Sequence, residues 1–143
     1  MASFVLSCCS TADLTKEHFE ERDIHYICFH YWLNGVEHPD DLGQTIPFPE
    51  FYKAMAEGAD TKTSQINISE YLEYFEKFLS QGLDVLHVTL SSGISGTYNS
   101  AADAANICRE RSRSGRSTTW IPWGPLPATA CSWMPWRISG TRA

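Results

Sequence analysis

No stretch of the 143 residues comes near the roughly 20 consecutive apolar residues of a membrane-spanning helix. The N-terminus has neither a basic region nor a small-residue cleavage site. A cytoplasmic address without an integral membrane segment is the expectation. The five cysteines, Cys8, Cys9, Cys28, Cys108 and Cys131, contain no CxxC pair, and adjacent Cys8 and Cys9 are poor disulfide partners. A reduced compartment suits that usage. The five histidines fall at no familiar metal-ligand spacing, so no metal site is expected. No GxGxxG is present and no lysine follows a glycine in a phosphate-loop pattern, which weakens a nucleotide reading. No cofactor is expected.

Charge is uneven. Residues 1–108 carry five basic side chains against sixteen acids, a net of −11, whereas residues 109–143 carry six arginines against Glu110 alone. An acidic body disfavours a nucleic-acid partner. RNA binding through the Arg-rich tail stands as an alternative. Length allows one domain with a modest core.

Phe4–Cys8 reads as a buried first strand, followed by the polar loop Ser10–Asp13 and a short helix over 15–21. Ile24–Leu33 is β-branched and aromatic and ends at Asn34-Gly35, a hairpin signal. A helix is expected over 47–56, with proline near its start and Gly58 past its end. Asn67-Ile68-Ser69-Glu70 has the form of a capping box. The helix behind it carries Tyr71, Leu72, Tyr74, Phe75, Phe78 and Leu79 as a core-facing stripe. Asp84–Leu90 is near-continuously apolar, as in a parallel strand covered on both faces. An Ala-rich helix follows from Thr97 to about Arg109. Strands alternating with helices give an α/β domain, a mainly parallel sheet flanked by helices.

Chemistry concentrates in three loops. Ser91-Ser92-Gly93-Ile94-Ser95-Gly96-Thr97 joins a strand's carboxyl end to a helix. Ligands of open α/β sheets sit there, and backbone N–H groups with the helix dipole favour a carboxylate or phosphate. Alternatively, Ser95 simply caps its helix. Lys62-Thr63-Ser64-Gln65 reads as a loop of ordinary turn residues. Asp13 could act as a general base, but no partner can be placed beside it, and capping of the next helix is the better expectation. A small α/β hydrolase-like or phosphate-handling enzyme using Ser95 is a further alternative, weakened by the lack of an identifiable base.

STADL at Ser10–Leu14, KTSQ at Lys62–Gln65 and SSGISGTYNSA at Ser91–Ala101, in this order, resemble the DegV family over residues 3 to about 108. The resemblance implies the N-terminal lobe, truncated, of a two-lobe bacterial protein that binds a long-chain fatty acid between its lobes. It also implies that the carrier is not an enzyme but presents the fatty-acid carboxylate to the catalytic subunit of a fatty acid kinase. Carried over residue by residue, Thr63 and Ser95 would donate hydroxyl hydrogen bonds to that carboxylate, with Ser64, Ser92 and Gly96 as secondary contacts. Two positions depart from the family pattern. Cys9 stands where many members have Asp, and Cys28-Phe29 where many have Pro-Leu.

Beyond about Arg109 the character changes. The segment holds four of the five tryptophans and four of the seven prolines, and it has neither helical nor strand periodicity. The genetic code explains this if the frame has shifted by one base. The last base of Trp120 (TGG) with the first two of Ile121 (ATH) gives GAT, Asp; Trp123-Gly124 likewise forces Gly, and Trp133-Met134-Pro135 forces Asp-Ala. The shifted frame permits KIYYV followed by DSLGASSGYGLLMDALADL, which resembles the strand, serine loop and helix expected next in the family. The expectation is therefore a lobe over 1–110, ending near an insertion or deletion at codons 109–115. An out-of-frame, disordered tail over 111–143 would leave the edge of the Asp84–Leu90 strand unpaired.

Overall fold

The structure, a computed structural model, describes residues 4–111 and 119–122. Strands β1 (Phe4–Cys9), β2 (Ile24–Ile27), β6 (Asp84–Thr89) and β7 (Thr119–Pro122) form a parallel sheet in the order β2-β1-β6-β7. Strands β3 (His30–Leu33), β4 (Val36–Pro39) and β5 (Thr61–Ser64) form a second, antiparallel sheet in the order β4-β3-β5. The α/β lobe with a parallel sheet and flanking helices is thus as expected. The second sheet was visible beforehand only as the Asn34-Gly35 hairpin. Both turn residues have positive φ, 51° and 80°, as a type I′ turn requires.

The parallel sheet is covered unequally. Side chains alternate along a strand, and the register pairs Ser7 with His25 and His87, and Cys9 with Ile27. That face meets α3 (Ile68–Leu79) and α4 (Thr97–Arg111). Its core comprises Ile27, Ile66, Tyr71, Tyr74, Phe75, Val85 and the small residues of α4. Ala101, Ala104, Ala105 and Cys108 recur at helical spacing, so α4 approaches closely without large side chains. Cys8 and Tyr26 belong to the opposite face, where the Phe19 ring of α1 (Lys16–Glu21) lies 4.8 Å from that of Tyr26. The capping box forms in full. The Asn67 side chain accepts from Glu70 N–H at 3.0 Å, and the Glu70 carboxylate accepts from Asn67 N–H at 2.7 Å.

Three expectations are corrected. Ile24–Leu33 is not one strand: Phe29 N–H donates to Ser10 Oγ (3.0 Å) and Asp40 N–H to the Phe29 carbonyl (2.7 Å), drawing the chain out of the parallel sheet at Cys28-Phe29. Asp13 does not cap α1. It closes a 3-10 turn over Ser10–Ala12 in the left-handed region (φ 55°), and Thr15 is the cap, accepting from His18 N–H. The unpaired edge also fails. Helix α4 runs to Arg111, and Thr119–Pro122 pairs in parallel with Leu86–Thr89. An open parallel edge presents unsatisfied N–H and C=O groups, and Thr-Trp-Ile has the β-propensity to meet them. The tail residues 112–118 and 123–143, with the Arg-rich segment of the RNA alternative, lie outside the described residues.

Candidate ligand-binding cleft

Helix α2 (Phe48–Ala56) begins after Pro47 and carries Phe48, Phe51, Tyr52 and Met55 at i, i+3, i+4 and i+7. Such an apolar face is normally buried, yet no residue of α2 is. Phe48 is 53% exposed and Tyr52 64%. The helix stands over one face of the antiparallel sheet. Cross-strand pairing puts Thr63, Tyr31 and His38 on that face. The Tyr31 ring meets Phe51 edge-on at 5.1 Å and stacks on His38 at 5.5 Å. Between helix and sheet lies a cleft of about 210 Å³, walled by Phe29, Phe48, Phe51 and Tyr52, with Thr11 and Thr63 as hydroxyl groups.

One rim of the cleft is acidic. Asp40 accepts from Ser10 Oγ at 2.8 Å. Burial alone would raise the Asp41 carboxyl, but hydrogen bonds from Thr45 and Gln44 outweigh it and hold its pKa below the ordinary carboxylate value. Burial first, then the nearby Asp40 and Asp41 charges, push the Cys28 thiol up to about 11, so it is a poor nucleophile.

The Ser91–Gly96 loop opens α4. Ser95 Oγ accepts from Thr97 N–H (3.2 Å) and donates to Thr97 Oγ1 (3.0 Å), a turn just ahead of the helix, whose cap position is Gly96. Gly96 is needed for a close approach. A Cβ there would lie 2.7 Å from Gln65 Oε1, so the Gln65 carboxamide occupies the space over the helix start.

The sequence-derived site residues are therefore only partly gathered. Thr63 walls the cleft; Ser95 is not part of its lining. The two motifs meet instead through Gln65 and Gly96. Ser64 pairs with His30 and so faces away from Thr63. Ser92 is exposed. Lys62–Gln65 is not the loop expected: Thr61–Ser64 is strand β5, because β3 supplies an antiparallel partner for its backbone groups. Sequence reasoning missed the α2 aromatics and Gln65. The spacing of Phe48, Phe51, Tyr52 and Met55 was a legible signal for an apolar face, though not for its exposure.

Among the described residues no helix is long and apolar enough to cross a membrane, and no cluster of three His, Cys, Asp or Glu side chains could hold a metal ion.

The model of the family described as "Uncharacterised protein, DegV family" matches residues 9–116. A DegV domain-containing protein of Clostridium perfringens is 35% identical over 111 residues, covering 78% of this chain and 38% of the relative. Among solved structures, a stearic acid-binding protein from Eubacterium ventriosum superposes with a TM-score of 0.72 at 27% identity, over 82% of this chain and 40% of that one. A DegV lipid-binding protein from Thermotoga maritima gives 0.68 at 30% identity, over 83% and 41%. The chain spans about two fifths of the length of these relatives. By the extent of the match and the fold, the chain belongs to the DegV family.

Proposed function

We propose that this lobe supplies one wall of a long-chain fatty-acid site. The acyl chain lies beneath α2 against Phe48, Phe51 and Tyr52. The carboxylate sits on the polar strip from Thr63 past Gln65 to Ser95 and the α4 N-terminus, with Ser64, Ser92 and Gly96 as secondary contacts. The carrying observation is the aromatic face of α2, left open above a cleft whose sheet wall bears Thr63. Asp40 and Asp41 repel a carboxylate, which directs the head group toward the helix start. At about 210 Å³ the cleft is smaller than the roughly 300–1,000 Å³ usual for a small-molecule site, so a long acyl chain needs a second wall. The lipid-binding relatives, more than twice as long as this chain, support that arrangement.

The protein acts as a carrier rather than a catalyst, and the family resemblance makes its partner a kinase that phosphorylates the presented carboxylate. The hydrolase alternative is disfavoured because the Ser95 proton is directed at Thr97, not at an imidazole or carboxylate. The test is lipid extraction from the purified chain followed by mass spectrometry, with stearate titrated into delipidated protein. Recovery of fatty acid and saturable binding are expected; neither would be seen if the cleft served another ligand.

A further inference from the structure

Beneath the sheet, five polar side chains form one continuous line through the core. The Tyr74 hydroxyl lies 2.6 Å from Ser7 Oγ, and Ser7 Oγ lies 2.9 Å from His87 Nδ1. His87 Nε2 lies 3.8 Å from Cys9 Sγ, and Cys9 Sγ lies 3.3 Å from the Tyr71 hydroxyl. The line begins and ends on α3 and crosses β1 twice and β6 once. Ser7 and His87 are fully buried, so no substrate reaches them.

We infer that this hydrogen-bonded line is a positioning device that fixes, relative to one another, the three segments carrying the DegV motifs. Cys9 immediately precedes the Ser10–Asp13 turn. Tyr71 donates its N–H to the Asn67 carbonyl, in the turn of α3 that follows Lys62–Gln65. His87 lies on β6, the strand that runs into the Ser91–Gly96 loop. Each motif thus has its own anchor in the line.

Apolar packing alone tolerates small slides of a helix over a sheet, because it has no preferred direction. Hydrogen bonds do have one. Ser7 and His87 are also register partners, and a slip of β6 by one residue would turn His87 to the opposite face, away from Ser7. General stability is a weak reason for such a line, since the net gain per buried hydrogen bond is small and apolar residues of similar shape would fill the space. Directional bonds from both strands to α3 add to the register that the buried face already sets, and they tie the helix to it. His87, Ser7 and Cys9 are therefore positioning residues. The inference rests on the ligand reading only for what the loops serve.

The experiment is amide hydrogen exchange by NMR on the complete chain, which needs no ligand, so failure of the lipid proposal and failure of this one are separable. Cys9→Ala deletes two links and Tyr74→Phe one, Cys9→Ser retains a donor and acceptor, and Cys108→Ala perturbs the core away from the line. After correction for global stability, amides of Ser10–Asp13 and Ser95–Thr97 should exchange about threefold to tenfold faster in the two deletions, the equivalent of one hydrogen bond. Cys9→Ser should match the parent. If Cys9→Ala does not fold, Tyr74→Phe carries the comparison. Unchanged loop exchange in the deletions, or an equal increase in Cys108→Ala, would overturn the inference.

Discussion

His87 makes this lobe sensitive to mild acid. It is 0% exposed, and burial drives its pKa down from 6.5 to about 3. Its neighbours include the uncharged Ser7, Cys9, Tyr71, Tyr74 and Phe75. Above pH 6.5 the imidazole is neutral in both folded and unfolded chains and adds no pH dependence. Below it, the unfolded chain binds a proton that the fold refuses until about pH 3. Stability therefore falls by about 1.4 kcal/mol per pH unit across that window. From about pH 7.5 to about pH 5 the loss is roughly 2 kcal/mol, which moves a urea midpoint down by about 1 M at ordinary denaturant sensitivities. The variant His87→Phe keeps a ring among its aromatic neighbours and removes the titration. It should be less stable than the parent near neutrality, because two polar contacts are lost, and that gap should shrink by about 2 kcal/mol at pH 5. Carboxylate titrations common to both proteins cancel in the difference. A gap that stays constant to within about half a kcal/mol would show that the buried imidazole does not resist protonation.

Other perturbations read other parts of the lobe. Asn67→Ala removes the side-chain half of the capping box and should cost about 1 kcal/mol in urea unfolding, with loss of helix signal only on unfolding. Gly96→Ala should displace the Gln65 side chain, weakening fatty-acid binding severalfold while costing less than about 1 kcal/mol of stability, since the clashing atom ends a flexible chain. Sequencing the gene across codons 109–115 should reveal one inserted or deleted base, and the frame-restored protein should bind fatty acid more tightly than this chain. A shifted frame that stops early, with no second-lobe sequence downstream, would refute the frame-shift proposal.

Elements with strong local signals were legible in the sequence. The capping box, the Tyr71-to-Leu79 stripe and the Asn34-Gly35 turn each follow from short-range chemistry and formed as expected; the apolar run of β6 formed a parallel strand, but with only one face fully buried. What was not legible depends on long-range contacts. Strand β5 has polar, short side chains that read as a turn until β3 supplies a hydrogen-bonding partner. The break at Cys28-Phe29 is set by Ser10 and Asp40, residues distant in sequence. Strand β7 forms where the open edge of β6 gives a short β-prone segment something to pair with. At the site, the motifs named three loops but not their spatial relation. The chain brings Gln65 onto Gly96, and it leaves Thr63 and Ser95 on adjoining rather than shared ground. The exposure of α2 was hidden because amphipathic spacing states which face is apolar, not whether the lobe covers it.

On the proposed function, a fatty acid lies beneath α2 with its carboxylate near Thr63 and Ser95. Stearate titration of the delipidated chain and of the Thr63→Ala/Ser95→Ala double variant tests it most directly. A hydrogen bond to a charged carboxylate is worth roughly 1.5–3 kcal/mol, so the double variant should bind at least about tenfold more weakly while unfolding at a similar urea concentration. Equal affinity for the parent and the double variant, or no binding by the parent, would contradict the account.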